Sequence, residues 1–187
     1  MWSHLAMDDA LATQDATSLA AAIARKEVSS RELLDLYLDR IERLNPALNA
    51  VVTLDVDRAR ASAAAADEAT ARGDSVGPLH GLPITIKDAI EVEGVRSTGG
   101  AVELTDHVPA ADAAAVAHLK AAGAVVFGKT NIPRWSGDLQ SYNEIFGTTN
   151  NPWDASRAPG GSSGGPAAAV SAGLTSFELG KIGRAHV

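Results

Sequence analysis

The spacing of apolar side chains predicts that the first quarter of the chain is helical. Within residues 31–44 the apolar positions recur every three or four residues, at Leu33, Leu34, Tyr37, Ile41 and Leu44. This period places them on one buried helix face. Ser29 or Ser30 can cap the helix, and Glu32 completes a capping box. The pattern therefore predicts an amphipathic helix that packs on a core.

Shorter patterns predict the neighbouring elements. They are a helix "LAAAIARKE" capped by Thr17 or Ser18, a helix end at "NPALNA", a strand "VVTL", and an alanine-rich helix over residues 56–72 closed by Gly73. Beyond residue 75 the β-branched run "ITIKD", the helical "DAAAVAHLKAAG" and the apolar "AVVFGKT" follow one another. Strand, helix and strand in this order predict an α/β fold with some parallel pairing.

Composition narrows the class of protein. A chain of 187 residues suits one domain or a piece of a larger one, and its net charge of -7 argues against a nucleic-acid partner. The absence of cysteine excludes disulfides, thiolate metal sites and a cysteine nucleophile. The first fifteen residues lack the features of a signal peptide, and Met7 is an alternative start to Met1. We expect a cytoplasmic protein with no membrane partner.

One motif, "GAVVFGKT" at residues 123–130, matches the phosphate-binding P-loop pattern. A P-loop needs a strand before its first glycine and a helix directly after its last residue. Here a predicted helix precedes Gly123, and the apolar residues that follow suit a buried strand. A nucleotide-binding module is therefore the less favoured function. The five histidines do not have metal-ligand spacing, so we expect no metal site.

Two remaining features can carry chemistry. Lys87 follows an apolar run, and burial would lower the pKa of its amine enough to make it a base. Taken alone, a surface lysine at a strand end is the better interpretation of Lys87. The loop "PGGSSGG" at residues 159–165 precedes an alanine-rich segment that should be helical. It can be a flexible turn, an anion-binding nest, or a backbone that approaches a substrate closely.

Taken together, four segments resemble the amidase signature family of serine hydrolases. They are "GPLHGLPITIKDAIEVEGVRSTGGA", "GAVVFGKTNIPRWSGD", "YNEIFGTTNNPWDASRAPGGSSGGPAAAVSAGL" and the "LG" at residues 179–180. The resemblance implies a helical N-terminal region followed by part of a mixed central sheet flanked by helices. It also implies that residues 1–180 are the N-terminal part of a single amidase signature domain.

The resemblance further implies amide hydrolysis by a Ser-cisSer-Lys triad without a metal or organic cofactor. Lys87 matches the catalytic lysine and Ser162 the relay serine, which follows a cis peptide bond after Gly161. Ser163 is expected to support Lys87 by hydrogen bonding. The leading hypothesis is a stand-alone amidase acting on a small-molecule amide. The alternative is the A subunit of the tRNA-dependent aspartyl/glutamyl amidotransferase, which shares these motifs.

The last seven residues, "KIGRAHV", depart from the family's motif L-G-[ST]-D-x-G-G-S-[IV]-R. With Leu179 and Gly180 on its first two positions, His186 falls on the nucleophilic serine. The tail can be back-translated as AAG ATC GGA AGA GCA CAC GTC, which resembles a short-read sequencing adapter. We therefore interpret residues 181–187 as a non-native read-through tail. We expect the chain as written to be inactive, because it lacks the nucleophile.

Overall fold

The computed structural model describes residues 10–74 and 77–181. Five α-helices and six strands lie wholly within these residues. They are α1 (Ala16–Ala24), α2 (Ser30–Leu48), β1 (Val51–Leu54), α3 (Val56–Arg72), β2 (Pro83–Lys87), α4 (Ala114–Ala121), β3 (Val125–Thr130), β4 (Tyr142–Asn143), β5 (Gly147–Thr148), α5 (Gly164–Ser171) and β6 (Glu178–Leu179). The two candidate start methionines and His186 lie outside the described residues.

The capping box predicted for α2 is confirmed. Ser29 is the N-cap, its side chain accepts a hydrogen bond from the Glu32 backbone, and the Glu32 carboxylate accepts one from the Ser29 backbone. Leu33, Leu34 and Tyr37 on its apolar face are fully buried. Ile41 is also buried, and Leu44 is partly buried against the same core.

One predicted helix boundary was wrong. The N-cap of α1 is Asp15, not Thr17 or Ser18, because the Asp15 carboxylate accepts hydrogen bonds from the Ser18 backbone and hydroxyl. The end predicted for α2 at "NPALNA" is confirmed, because the helix runs through Pro46 to Leu48 and Asn49 is its C-cap. The Asn45 side chain stabilises this helix end, since it accepts from the Ala50 backbone at 2.8 Å and donates to the Val51 carbonyl at 2.8 Å.

A four-stranded mixed sheet organises the fold, with strand order β1-β3-β2-β6. The predicted parallel pairing is confirmed, because β2 is parallel to both β3 and β6, while β1 is antiparallel to β3. In this register Lys87 lies opposite Thr130. The carboxyl ends of two neighbouring strands therefore bring these polar residues to one edge of the sheet.

Helices cover the sheet and bury its central strand. The helix α2 packs on α3, α3 packs on β3, and α5 contacts β2, β3 and β6. Tyr37 of α2 stacks on Phe127 of β3, with ring centroids 6.0 Å apart. Every residue of β2 is buried, including Lys87 at its carboxyl end. Among the described residues, no helix is long and apolar enough to cross a membrane.

Candidate active site

The structure brings Lys87, Ser162 and Ser163 together. The Lys87 side chain is fully buried at the carboxyl end of β2. Its Nζ donates a hydrogen bond to Ser162 Oγ at 2.7 Å and another to Ser163 Oγ at 3.1 Å. The two serines stand immediately before α5. The hydrogen bond between Lys87 and Ser162 thus joins the end of β2 to the start of α5, 75 residues later in the sequence.

Close packing explains the glycines around the serines. A Cβ on Gly161 would lie 2.5 Å from the Asp138 carbonyl oxygen, and one on Gly165 would collide with the Asn131 backbone. Neither backbone atom can move aside as a flexible side chain would. The peptide bond between Gly161 and Ser162 is cis, as the resemblance implies. The loop is therefore a tightly packed backbone segment that presents Ser162 to Lys87.

Burial lowers the pKa of Lys87 to about 8. Loss of hydration is the largest cause, and repulsion from the Lys181 ammonium adds to it, while the Glu178 carboxylate acts in the opposite direction. A lysine with this pKa is neutral in a much larger share of molecules at neutral pH than an exposed lysine. The amine can therefore accept a proton from a hydrogen-bonded hydroxyl.

Ser163 connects the lysine to the segment that follows β6. Its Oγ accepts from Lys87 Nζ and from the Lys181 backbone N–H, and it donates to the Lys181 carbonyl at 3.0 Å. Within the described part of the chain, Ser162 Oγ has one hydrogen-bond partner, Lys87. When Lys87 is neutral, its amine can instead accept this bond from the Ser162 hydroxyl, so the 2.7 Å contact suits transfer of the Ser162 proton to the amine.

A second buried lysine, Lys129, lies beside this site, and the sequence did not predict its role. Its Nζ donates to the Ile90 carbonyl at 2.8 Å and to Ser97 Oγ at 2.6 Å, and lies 3.8 Å from Asp88 Oδ1. The other Asp88 oxygen accepts from the backbone and the hydroxyl of Thr98. These bonds fix the backbone of residues 88–98, which follow β2, against Lys129 of β3. The one sequence feature that could have indicated this buried ion pair is the position of Asp88 directly after Lys87.

The same residues show why "GAVVFGKT" is not a phosphate-binding loop. The helix α4 precedes Gly123, and Gly128, Lys129 and Thr130 lie inside β3. The Lys129 ammonium is buried and hydrogen-bonded within the protein, so it cannot reach a phosphate in solution. This geometry agrees with the rejection of a P-loop on sequence grounds. Among residues 10–74 and 77–181, no group of three or more His, Cys, Asp or Glu could hold a metal ion.

Comparison with known proteins shows the family to which the chain belongs. The Amidase family model matches residues 32–181. The A subunit of the glutamyl-tRNA(Gln) amidotransferase from Heliobacterium modesticaldum is 45% identical over 170 residues, which are 91% of this chain and 35% of the relative. Its counterpart from Aromatoleum aromaticum is 48% identical over 164 residues, 88% of this chain and 33% of the relative. The chain thus spans about a third of the length of these relatives.

Solved structures of amide-cleaving enzymes resemble this chain in both fold and sequence. The peptide amidase from Stenotrophomonas maltophilia superposes with a TM-score of 0.83 at 37% identity, over 88% of this chain and 35% of the amidase. A fatty acid amide hydrolase gives a TM-score of 0.87 at 30% identity, over 92% of this chain and 31% of the hydrolase. The family model and the solved structures agree, and the chain belongs to the Amidase family.

Proposed function

We propose that the full-length protein containing residues 1–180 cleaves a carboxylic amide C–N bond, with Lys87 as the base and Ser162 as the proton relay. The observation that carries this proposal is the 2.7 Å hydrogen bond from the buried Lys87 amine to Ser162 Oγ. Membership in the Amidase family supports the reaction class. Ser163 supports the lysine by accepting its second hydrogen bond.

The proposed proton path uses the hydrogen bond between Lys87 and Ser162. Neutral Lys87 takes the proton of Ser162, and Ser162 takes the proton of a nucleophilic hydroxyl, which attacks the amide carbonyl carbon. The tetrahedral intermediate collapses when the relay returns a proton to the leaving nitrogen. Ammonia or an amine departs and an acyl-enzyme remains. Water then attacks the acyl group along the same proton path and releases the acid, with no cofactor.

The nucleophile is the part of the triad that this sequence does not supply. Alignment of Leu179-Gly180 with the family motif places His186 at the serine position, and His186 lies outside the described residues. We propose that the 187-residue chain is inactive and that the full-length protein carries a serine at this position. Codons for residues 181–187 that differ from the adapter sequence would refute the read-through interpretation.

Two functions share this chemistry, and the curated relatives favour the amidotransferase. Those at 45% and 48% identity are named as the A subunits of glutamyl-tRNA(Gln) amidotransferases. Such a protein would act with partner subunits and a tRNA-bound substrate, contrary to our expectation of no nucleic-acid partner. The stand-alone amidase stays as the second candidate. The solved amidases that superpose on the chain support it, and so does the segment "PRWSGDLQSYNEIFGTTNNPWD". The cytoplasmic location stays a prediction.

Ammonia release separates the two candidates. The full-length protein alone is assayed with simple amides and with glutamine, and then with the partner subunits and glutamyl-tRNA. An amidotransferase component requires the partners and converts the charged tRNA, whereas a stand-alone amidase hydrolyses simple amides alone. No amide cleavage under any of these conditions would refute the shared proposal.

The pH dependence of kcat/KM should follow the ionisation of Lys87. The pKa of Lys87 is lowered to about 8 by burial, and only its neutral form can act as the base. Activity should therefore rise about tenfold per pH unit below this value and level off above it. The measurement is kcat/KM of the full-length protein over about pH 5 to 10 at constant ionic strength. A flat profile across the neutral range would contradict a lysine base.

A further inference from the structure

Glu178 joins three strands at the edge of the sheet where Lys87 lies. Its carboxylate accepts a hydrogen bond from the Thr85 hydroxyl of β2 and one from Thr130 Oγ1 of β3 at 2.8 Å. Glu178 itself belongs to β6 and lies opposite Thr85 in the parallel pairing. Thr85 precedes Lys87 by two residues, and Thr130 is the register partner of Lys87. One carboxylate therefore bonds to the strand that carries Lys87 and to the strand paired with it at the position of Lys87.

We propose that Glu178 is a positioning residue for Lys87: its carboxylate holds the ends of β2 and β3 together, and its charge biases the protonation of the lysine. This inference rests on the proposed function, in which the charge state of Lys87 controls proton transfer. Glu178 acts on the reaction through Lys87 and not through a bond of its own to Ser162.

The charges around Glu178 support a role beyond holding the strands. Burial raises the pKa of Glu178 to about 8, and the Lys129 and Lys87 ammonium groups oppose that rise. In the 187-residue chain the Lys87 amine faces Lys181, which lowers its pKa and belongs to the proposed read-through tail, and Glu178, which raises it and precedes that tail. Burial also lowers the pKa of Lys129 to about 8, and Asp88 opposes that change. Glu178 and the two lysines thus titrate in one range and influence one another.

A purely structural role is the competing explanation. A carboxylate with two threonine partners could simply fasten β6 to the sheet, and its loss would then change stability but not the ionisation of Lys87. The two explanations differ in the pH at which Lys87 loses its proton. With its pKa at about 8, Glu178 carries its negative charge in and above the pH range in which Lys87 titrates. Removal of that charge should make the lysine easier to deprotonate in this range, because Glu178 favours its charged form.

The test compares Glu178→Gln with Glu68→Gln in the full-length protein. Glutamine keeps the size of the side chain and can still bond to the threonines. Glu68 is exposed on α3, and its replacement removes the same charge away from the site. The readouts are the midpoint of the kcat/KM profile and the ¹³Cε chemical shift of Lys87 in lysine-labelled protein, assigned with Lys87→Met.

In Glu178→Gln we expect the Lys87 midpoint to fall by at least about half a pH unit, and in Glu68→Gln to stay unchanged. An unchanged midpoint in folded Glu178→Gln overturns the proposal. If that variant does not fold, Thr130→Val decides, because it removes one bond that stabilises the carboxylate and should lower the Lys87 midpoint by a smaller amount. An unchanged midpoint there overturns it equally. The ¹³Cε titration needs no catalysis, so an inactive protein whose Lys87 shifts would refute the proposed function alone.

Discussion

Replacement of Lys87 by methionine in the full-length protein should lower kcat/KM for amide cleavage by about 10²- to 10⁴-fold, the contribution typical of a general base. Methionine fills the buried space but cannot take the proton of Ser162, whose hydroxyl lies 2.7 Å from the Lys87 amine. The fold should survive, because an apolar side chain needs no hydration in this interior site. The measurement is kcat/KM on the alkaline plateau of the parent's pH profile, with thermal unfolding as the test of folding.

Lys26→Met is the matched control for this variant. Lys26 is an exposed lysine beyond the end of α1, so the same chemical change there should leave kcat/KM within about twofold of the parent. A folded Lys87→Met variant with activity close to that of the control would show that another group is the base.

Replacement of Asp88 by alanine should lower the free energy of unfolding by about 3–5 kcal/mol, as is typical when one partner of a buried ion pair is removed. Asp88 and Lys129 are both fully buried, with Oδ1 and Nζ 3.8 Å apart. Without the carboxylate, the Lys129 ammonium loses its ion-pair partner, and Thr98 loses the acceptor of its backbone and hydroxyl bonds. Urea unfolding of the full-length protein measures the change.

The loss should become smaller as the pH rises through the Lys129 pKa of about 8. The pKa of Lys129 is already lowered to about 8 by burial, and a deprotonated amine no longer needs the carboxylate. Asp106→Ala in an exposed loop is the control and should change the free energy of unfolding by less than about 0.5 kcal/mol. A loss below about 1 kcal/mol in Asp88→Ala at about pH 6 would mean that the buried pair contributes little.

Local patterns predicted the elements of the fold where apolar period and capping residues agree. The helix α2 had both, and its apolar face and capping box were confirmed. The predictions failed where side chains compete for backbone groups. Asp15 displaces Thr17 and Ser18 as the cap of α1, whereas the end of α2 predicted at "NPALNA" was confirmed, and Asn45 stabilises it beyond Pro46. Such competition depends on the final geometry, which periodicity does not contain.

The site was predictable only in part. The resemblance singled out Lys87 and Ser162, but no local pattern indicates that a strand end and a loop 75 residues later share a hydrogen bond. The network of Glu178, Asp88 and Lys129 was missed altogether. Asp, Glu and Lys side chains are usually exposed, so the sequence alone does not indicate that these three are enclosed. Their enclosure in the protein results from the parallel register of β2, β3 and β6, a tertiary property.

A double-mutant cycle on Lys87 and Ser162 tests the central claim most directly. The measurement is kcat/KM of the full-length protein, Lys87→Met, Ser162→Ala and the double variant, with thermal unfolding of each. If the two residues form one proton path, either change breaks it, and the double variant should be only about as impaired as the worse single variant. Losses that multiply, or a folded single variant with unchanged kcat/KM, would contradict the relay.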